Sequence, residues 1–212
     1  MVLSVAILVI GGALPATAGS LRHVEYAVSS NLDGPLRQGK IALDLTDVAP
    51  DRTFGFDIAD DLRDPLDSQF HVRLDERGSA GTRDAVSLSD EEEALLYFFA
   101  LSNENLTGVA RGDRWTRNCP LTDGSQETRF TVLRASGLVL DLGVTRAVTR
   151  ADGTVEGWQG HLLYDAAAVV PLTIELRGRD PGDPSAPERS LTFRLTGDSF
   201  TRDVQSLARP HL

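Results

Sequence analysis

The sequence predicts a mainly β protein: a curved antiparallel sheet or incomplete barrel, with one amphipathic helix packed on it. Three observations carry that prediction. Period-two alternation of apolar residues recurs along most of the 212 residues. Polar turn dipeptides separate the alternating runs. A single segment switches to helical periodicity, and it opens with a helix cap.

The alternating runs begin with Val24, Tyr26 and Val28, followed by Ile41, Leu43 and Leu45. Phe54, Phe56 and Ile58 make the third run, and Phe70, Val72 and Leu74 the fourth. After the helix come Phe130 and Val132, then Leu138 to Val144, then Leu162 and Tyr164. Val170 to Leu176 and Leu191 to Leu195 complete the series. Each run places its apolar side chains on one face, the pattern of a sheet packed on one side only. Asp33-Gly34, Asp123-Gly124 and Asp152-Gly153 are turn dipeptides that tolerate positive φ. The Pro- and Gly-rich segment 178–189 reads as a surface loop between two strands. About eight or nine strands follow from this count.

The helical segment is SLSDEEEALLYFFALS. Ser89 with Glu92 three residues on is a capping box, and three consecutive glutamates occupy the first turn, where the helix dipole favours negative charge. Leu95, Phe98 and Phe99 form an apolar stripe with Ala94 and Leu101 beside it. The expected helix spans about 90–101 and plugs the open side of the sheet.

Residues 1–18 read as a secretory signal: an apolar run from Val2 to Ile10, Gly11-Gly12, Pro15, then Ala16-Thr17-Ala18 as an A-x-A site. The flank lacks a basic residue before Arg22, and a buried N-terminal strand is the alternative. The expected organisation is a signal over 1–18 and one domain over 19–212, with a mobile tail from about residue 199. The expected location is secreted or periplasmic. The apolar run is too short to span a bilayer, so no membrane span is expected.

A net charge of −10 argues against nucleic acid and anionic membrane surfaces, because phosphate binding needs basic surface. Cys119 is the lone cysteine and has no local histidine to activate it, so it reads as an inert thiol. His23, His71, His161 and His211 form no zinc-type pair, and no Gly-x-Ser-x-Gly elbow or phosphate-binding glycine loop is present. His23 and Glu25 share a strand face that is expected to be solvated, and His71 is expected to point outward. Asp57 to Asp67 carries five aspartates and reads as a solvated acidic connection, with a calcium cage as the alternative. No catalytic residue, metal ligand or cofactor is assigned.

Arg111-Gly112-Asp113 spells an adhesive tripeptide, but about 0.2 occurrences are expected by chance in a chain of this composition. It reads as the connection from helix to strand, with Gly108 and Gly112 supplying bends and Trp115 beginning the next strand. Tyr26, Phe98, Phe99, Trp115 and Tyr164 are the candidate ligand-lining residues, with core and rim packing as their plain alternative.

The order SDEEEALLYFFAL, GDRW, a strand pair, GHLLYD and a closing alternating strand resembles small exported bacterial proteins of half-barrel or clam-like architecture. Lipoprotein-localisation chaperones and the mycobacterial LppX/LprG lipoproteins typify that architecture. The resemblance covers about the central half of the chain. It implies a curved sheet closed by helices over a cavity that holds acyl chains. This chain differs in having one helix and no lipid-attachment cysteine, and no ligand residue carries over. The function expected is a non-enzymatic binding or envelope-associated protein that takes an apolar ligand such as a lipid. A hydrolase or carbohydrate-active enzyme built on dispersed carboxylates is the alternative, and a structural or adhesive module the next.

Overall fold

A computed structural model describes residues 20–32, 34–82, 86–103, 106, 108–121, 124–179, 185 and 187–199. The expected signal segment, Asp33, Asp123 and almost all of the expected mobile tail lie outside the described residues. The nine apolar runs became strands β1 (Arg22–Ser30), β2 (Arg37–Val48), β3 (Phe54–Asp60), β4 (Gln69–Leu74), β7 (Gly124–Ser136), β8 (Val139–Arg150), β9 (Val155–Asp165), β10 (Val170–Arg179) and β11 (Arg189–Asp198). Two strands lie outside the nine runs: β5 (Ala80–Thr82), and β6 (Arg114–Leu121), the strand expected to begin at Trp115. Neither shows apolar alternation. β5 has only three residues, and β6 turns Trp115, Arg117, Cys119 and Leu121 inward, a series interrupted by a charge.

All eleven strands form one antiparallel sheet in the order β5-β4-β3-β2-β1-β11-β10-β9-β8-β7-β6. Nearly every connection joins sheet neighbours, as expected when strands are linked by short turns. The first and last strands pair in the middle, with Val28 opposite Phe193 and Tyr26 opposite Leu195. The edges are therefore β5 and β6, and the sheet is not closed into a barrel. Asp152-Gly153 makes the β8–β9 turn, with Gly153 at φ 86°.

Helix α1 (Asp90–Phe99) lies in the concave face and continues as a 3-10 turn through Ala100–Asn103. The α-helix thus stops two residues short of the expected 101, tightening into 3-10 geometry as helix ends commonly do. α1 is buried on nearly every side: Ala94 to Phe98 are at most 2% exposed. A helix hydrophobic only on a stripe would leave one face wet; this one is enclosed because the sheet curls round it. Phe99 meets Phe56 of β3 edge-on at 5.4 Å, and Phe98 meets Phe130 of β7 edge-on at 6.3 Å. The helix therefore bridges the two halves of the sheet.

Arg117 of β6 spans the gap between the edges. Its Nη2 donates to the carbonyl of Glu76 in the β4–β5 turn at 2.9 Å, and its guanidinium lies 5.2 Å from the Tyr97 ring. A side chain thus takes the place of the missing ladder hydrogen bonds at this point of the seam.

Candidate functional site

The strand ends at one mouth of the half-barrel carry polar residues in phase with the inward apolar series. Ser30 ends the β1 series, Arg37 begins that of β2, and Arg189 precedes Leu191 in β11. Arg146 and Arg150 interleave with Val148 in β8. The acidic first turn of α1, Asp90 to Glu93, points into this mouth.

The local signal for the turn is the capping box. Ser89 Oγ accepts from the Glu92 N–H at 3.2 Å, and Glu92 Oε2 accepts from the Ser89 N–H at 2.7 Å. The long-range partners are arginines. Arg63, in the β3–β4 loop, makes a bidentate pair with Glu92: Nε–Oε1 is 2.6 Å and Nη2–Oε2 2.5 Å. Such fork-to-fork pairs are among the strongest polar contacts in proteins. Glu91 accepts from Ser30 Oγ at 2.7 Å and from Arg37 at 3.3 Å. Asp90 pairs with Arg150 at 3.2 Å and with Arg189 at 3.7 Å. Arg146 donates to Gln126 at 2.8 Å, and burial lowers its pKa, a shift that Asp90 and Glu93 oppose. The result is a collar of arginines from distant segments around the helix N-terminus.

Beside Glu92 lies Asp60, only 2% exposed. Burial pushes its carboxyl up to about 7, and a hydrogen bond with Glu92 adds to the shift. Two carboxyls this close are best served by a shared proton. Asp60 also accepts the Leu62 N–H at 2.8 Å. Asp60 borders an open pocket of about 280 Å3 that is also lined by Arg37, Arg63, Asp64, Asp67 and Glu91. The acidic segment 57–67 is thus only partly the solvated connection expected. Its first residues belong to β3, which carries Asp60 into the interior.

The five residues singled out from the sequence all face the packed interior. Tyr26 is fully buried and donates to the Pro171 carbonyl at 2.9 Å. Phe98 and Phe99 bridge the halves as described. Trp115 is half-buried and stacks on Phe130 at 5.0 Å and 17°, which brings it into the Phe98 cluster. Tyr164 is 1% exposed, and burial raises its pKa well above the usual tyrosine range. The Tyr164 hydroxyl and the Trp115 Nε1 have no hydrogen-bond partner among the described residues.

Other sequence expectations fall as follows. Cys119 is 1% exposed, and burial pushes its thiol up to about 11, which disfavours the thiolate at neutral pH. His71 is on the outer face and pairs with Asp57 at 2.8 Å. His23 pairs with Asp44 at 2.9 Å, and Glu25 pairs with Lys40 at 3.0 Å. That face is not solvated as expected: Glu25 is 6% and Asp44 4% exposed, because cross-strand partners cover them. Arg111-Gly112-Asp113 is an exposed turn with Gly112 at φ 96° and Gly108 at φ 79°. Asp113 accepts the Ala110 N–H at 2.8 Å, so its carboxylate closes the turn. Among the described residues no group of three His, Cys, Asp or Glu is placed to hold a metal ion. No helix among them is long and apolar enough to cross a membrane.

Sequence reasoning missed Arg37, Asp60, Arg63, Arg150 and Arg189. A signal for Arg37, Arg150 and Arg189 exists: each is a basic residue in register with an inward apolar series. Asp60 is likewise in register with Phe56 and Ile58. Arg63 offers none, since it sits in a loop.

The fold and site define a class: an open antiparallel half-barrel whose concave face is occupied by one helix, held at its acidic end by arginines. The sequence matches no protein-family profile, and no curated protein matches it.

Proposed function

We propose that this is an exported, non-enzymatic binding protein of the bacterial envelope that takes an apolar ligand such as a lipid on its concave face. One observation carries the reading: α1, with the 3-10 turn that follows it, covers an apolar surface contributed by both halves of an open sheet. Its hold on that sheet is through side chains, with no ladder hydrogen bonds. The sheet ends in two strands, β5 and β6, that are not paired with each other. A ligand on this face replaces the helix side chains, so binding and helix release are one event. The resemblance to half-barrel acyl carriers belongs to the same reading, as does the expected signal at 1–18. Native mass spectrometry of the purified protein, with and without added acyl lipids, tests it. Retained lipid is the expected result; failure to retain any acyl lipid overturns the proposal.

A second reading is favoured by Asp60. A carboxyl held near 7 beside a second carboxyl, on the wall of an open pocket, is suited to general acid–base work at neutral pH. This is the carboxylate-hydrolase alternative. Hydrolysis of a panel of glycosides and esters that is abolished by Asp60→Asn supports it; no turnover by the wild-type protein removes it.

A further inference from the structure

We propose that the protein holds one monovalent anion of halide size on Arg146, in a small cavity between β8 and the first turn of α1. Neither Asp60 nor an acyl ligand takes part in this site. Arg146 belongs to the inward series of β8, between Val144 and Val148, and is 6% exposed. Its ladder neighbours are Thr128 of β7 and Trp158 of β9, and neither carries a charge.

Arg146 differs from the other arginines of the mouth. Its one hydrogen bond among the described residues runs from Nε to Gln126 Oε1 at 2.8 Å, and it forms no ion pair with any of them. Asp90 and Glu93 act on it only from a distance, while burial and the nearby Arg150 work against its charge. A guanidinium does not deprotonate in a protein, so it cannot relieve this by becoming neutral, as a buried lysine does. A buried cation therefore needs a counterion.

The space for one adjoins it. Arg146 lines a largely enclosed cavity of about 10 Å3, together with Asp90, Arg150, Glu156 and an apolar wall that includes Val148, Trp158 and Leu191. That volume suits a single particle near the size of a water, and a phosphate or sulfate is too large for it. A water accepts a hydrogen bond from Arg146 but leaves its charge unbalanced; a chloride does both. The two carboxylates facing the cavity are already held by guanidiniums. Asp90 meets Arg150 at 3.2 Å and Arg189 at 3.7 Å, and Glu156 meets Arg189 at 3.7 Å. The apolar wall lowers the local dielectric and so strengthens the attraction between Arg146 and an anion.

The test uses the full chain exchanged into potassium gluconate, whose anion is too large for the cavity. Thermal unfolding is followed as chloride replaces gluconate at constant total potassium. A saturable rise in Tm of about 2–4 °C is expected, as for a ligand bound only by the folded protein. Arg146→Gln removes the charge and is expected to melt at the same temperature in both salts. Crystals of the wild-type protein grown in bromide locate the ion by anomalous diffraction, which decides the matter where the variant fails to fold. The expected peak lies within hydrogen-bond distance of the Arg146 guanidinium. Absence of a chloride-specific rise overturns the site, and a bromide peak without that rise is binding at crystal concentration only, which overturns it equally. A rise that persists in a folded Arg146→Gln, or a bromide peak only elsewhere, overturns the assignment to Arg146. A water or a carboxylate side chain found against the guanidinium in its place overturns it as well.

Discussion

The two ends of α1 are held by different physics. Beyond its first turn the helix is held by aromatic and aliphatic packing against Phe56 and Phe130, which is non-directional and insensitive to pH. The first turn is held by buried ion pairs and a shared proton, which are directional and depend on every partner being present. The body therefore supplies most of the stability of the docked state, and the acidic end fixes its register.

The largest expected effect tests the body. Phe98→Ala removes a fully buried ring between the helix and Phe130 and is expected to destabilise by about 3–5 kcal/mol in urea unfolding. Arg63→Ala tests the end. It leaves Glu92, 1% exposed, without its bidentate partner, and a loss of about 3 kcal/mol is expected if the pair is a buried one. A loss below about 1 kcal/mol would make it behave as a surface ion pair and break the comparison.

Asp60 sharpens the comparison through pH. Its carboxyl ionises near 3.8 when unfolded and near 7 when folded, so between those values the folded state binds the extra proton. Stability from this group is fully present below about pH 4, falls as pH rises towards 7, and is level above that, with a slope of at most about 1.4 kcal/mol per pH unit. Asp60→Asn copies the protonated form. It is expected to match the wild type at acidic pH and to exceed it above pH 7, measured as the difference between two melting series. A difference that does not change with pH would show that Asp60 and Glu92 share no proton.

Smaller effects follow at the cap and the exposed turn. Ser89→Ala removes the acceptor for the Glu92 N–H and is expected to cost about 1 kcal/mol in thermal unfolding. Asp113→Ala loosens only the turn it closes on Ala110, and at most about 1 kcal/mol is expected. Unchanged binding of this variant to host cells would also dismiss the adhesive reading of the tripeptide.

Much of the fold was legible because its causes are local. Val24, Tyr26 and Val28 alternate because a strand presents every second residue to one face. Ser89 and Glu92 announce the helix because their two hydrogen bonds close within one turn. β6 was less legible: its inward Arg117 belongs to a seam between sheet edges, and nothing near it in the chain calls for a charge there. The burial of Asp60 was masked by the aspartates that follow it in an exposed loop. Gly108 and Gly112 were read as bends, and both adopt positive φ.

By itself the sequence determined a mainly β chain with one capped, acidic-headed helix, because alternation and capping depend on neighbours a few residues apart. Only the tertiary structure decided what that acidic head meets. Arg63 and Glu92 are 29 residues apart, and Arg150 and Asp90 are 60 apart. Partners so distant are brought together by the curl of the sheet, which sums the geometry of eleven strands and leaves no mark in any one of them.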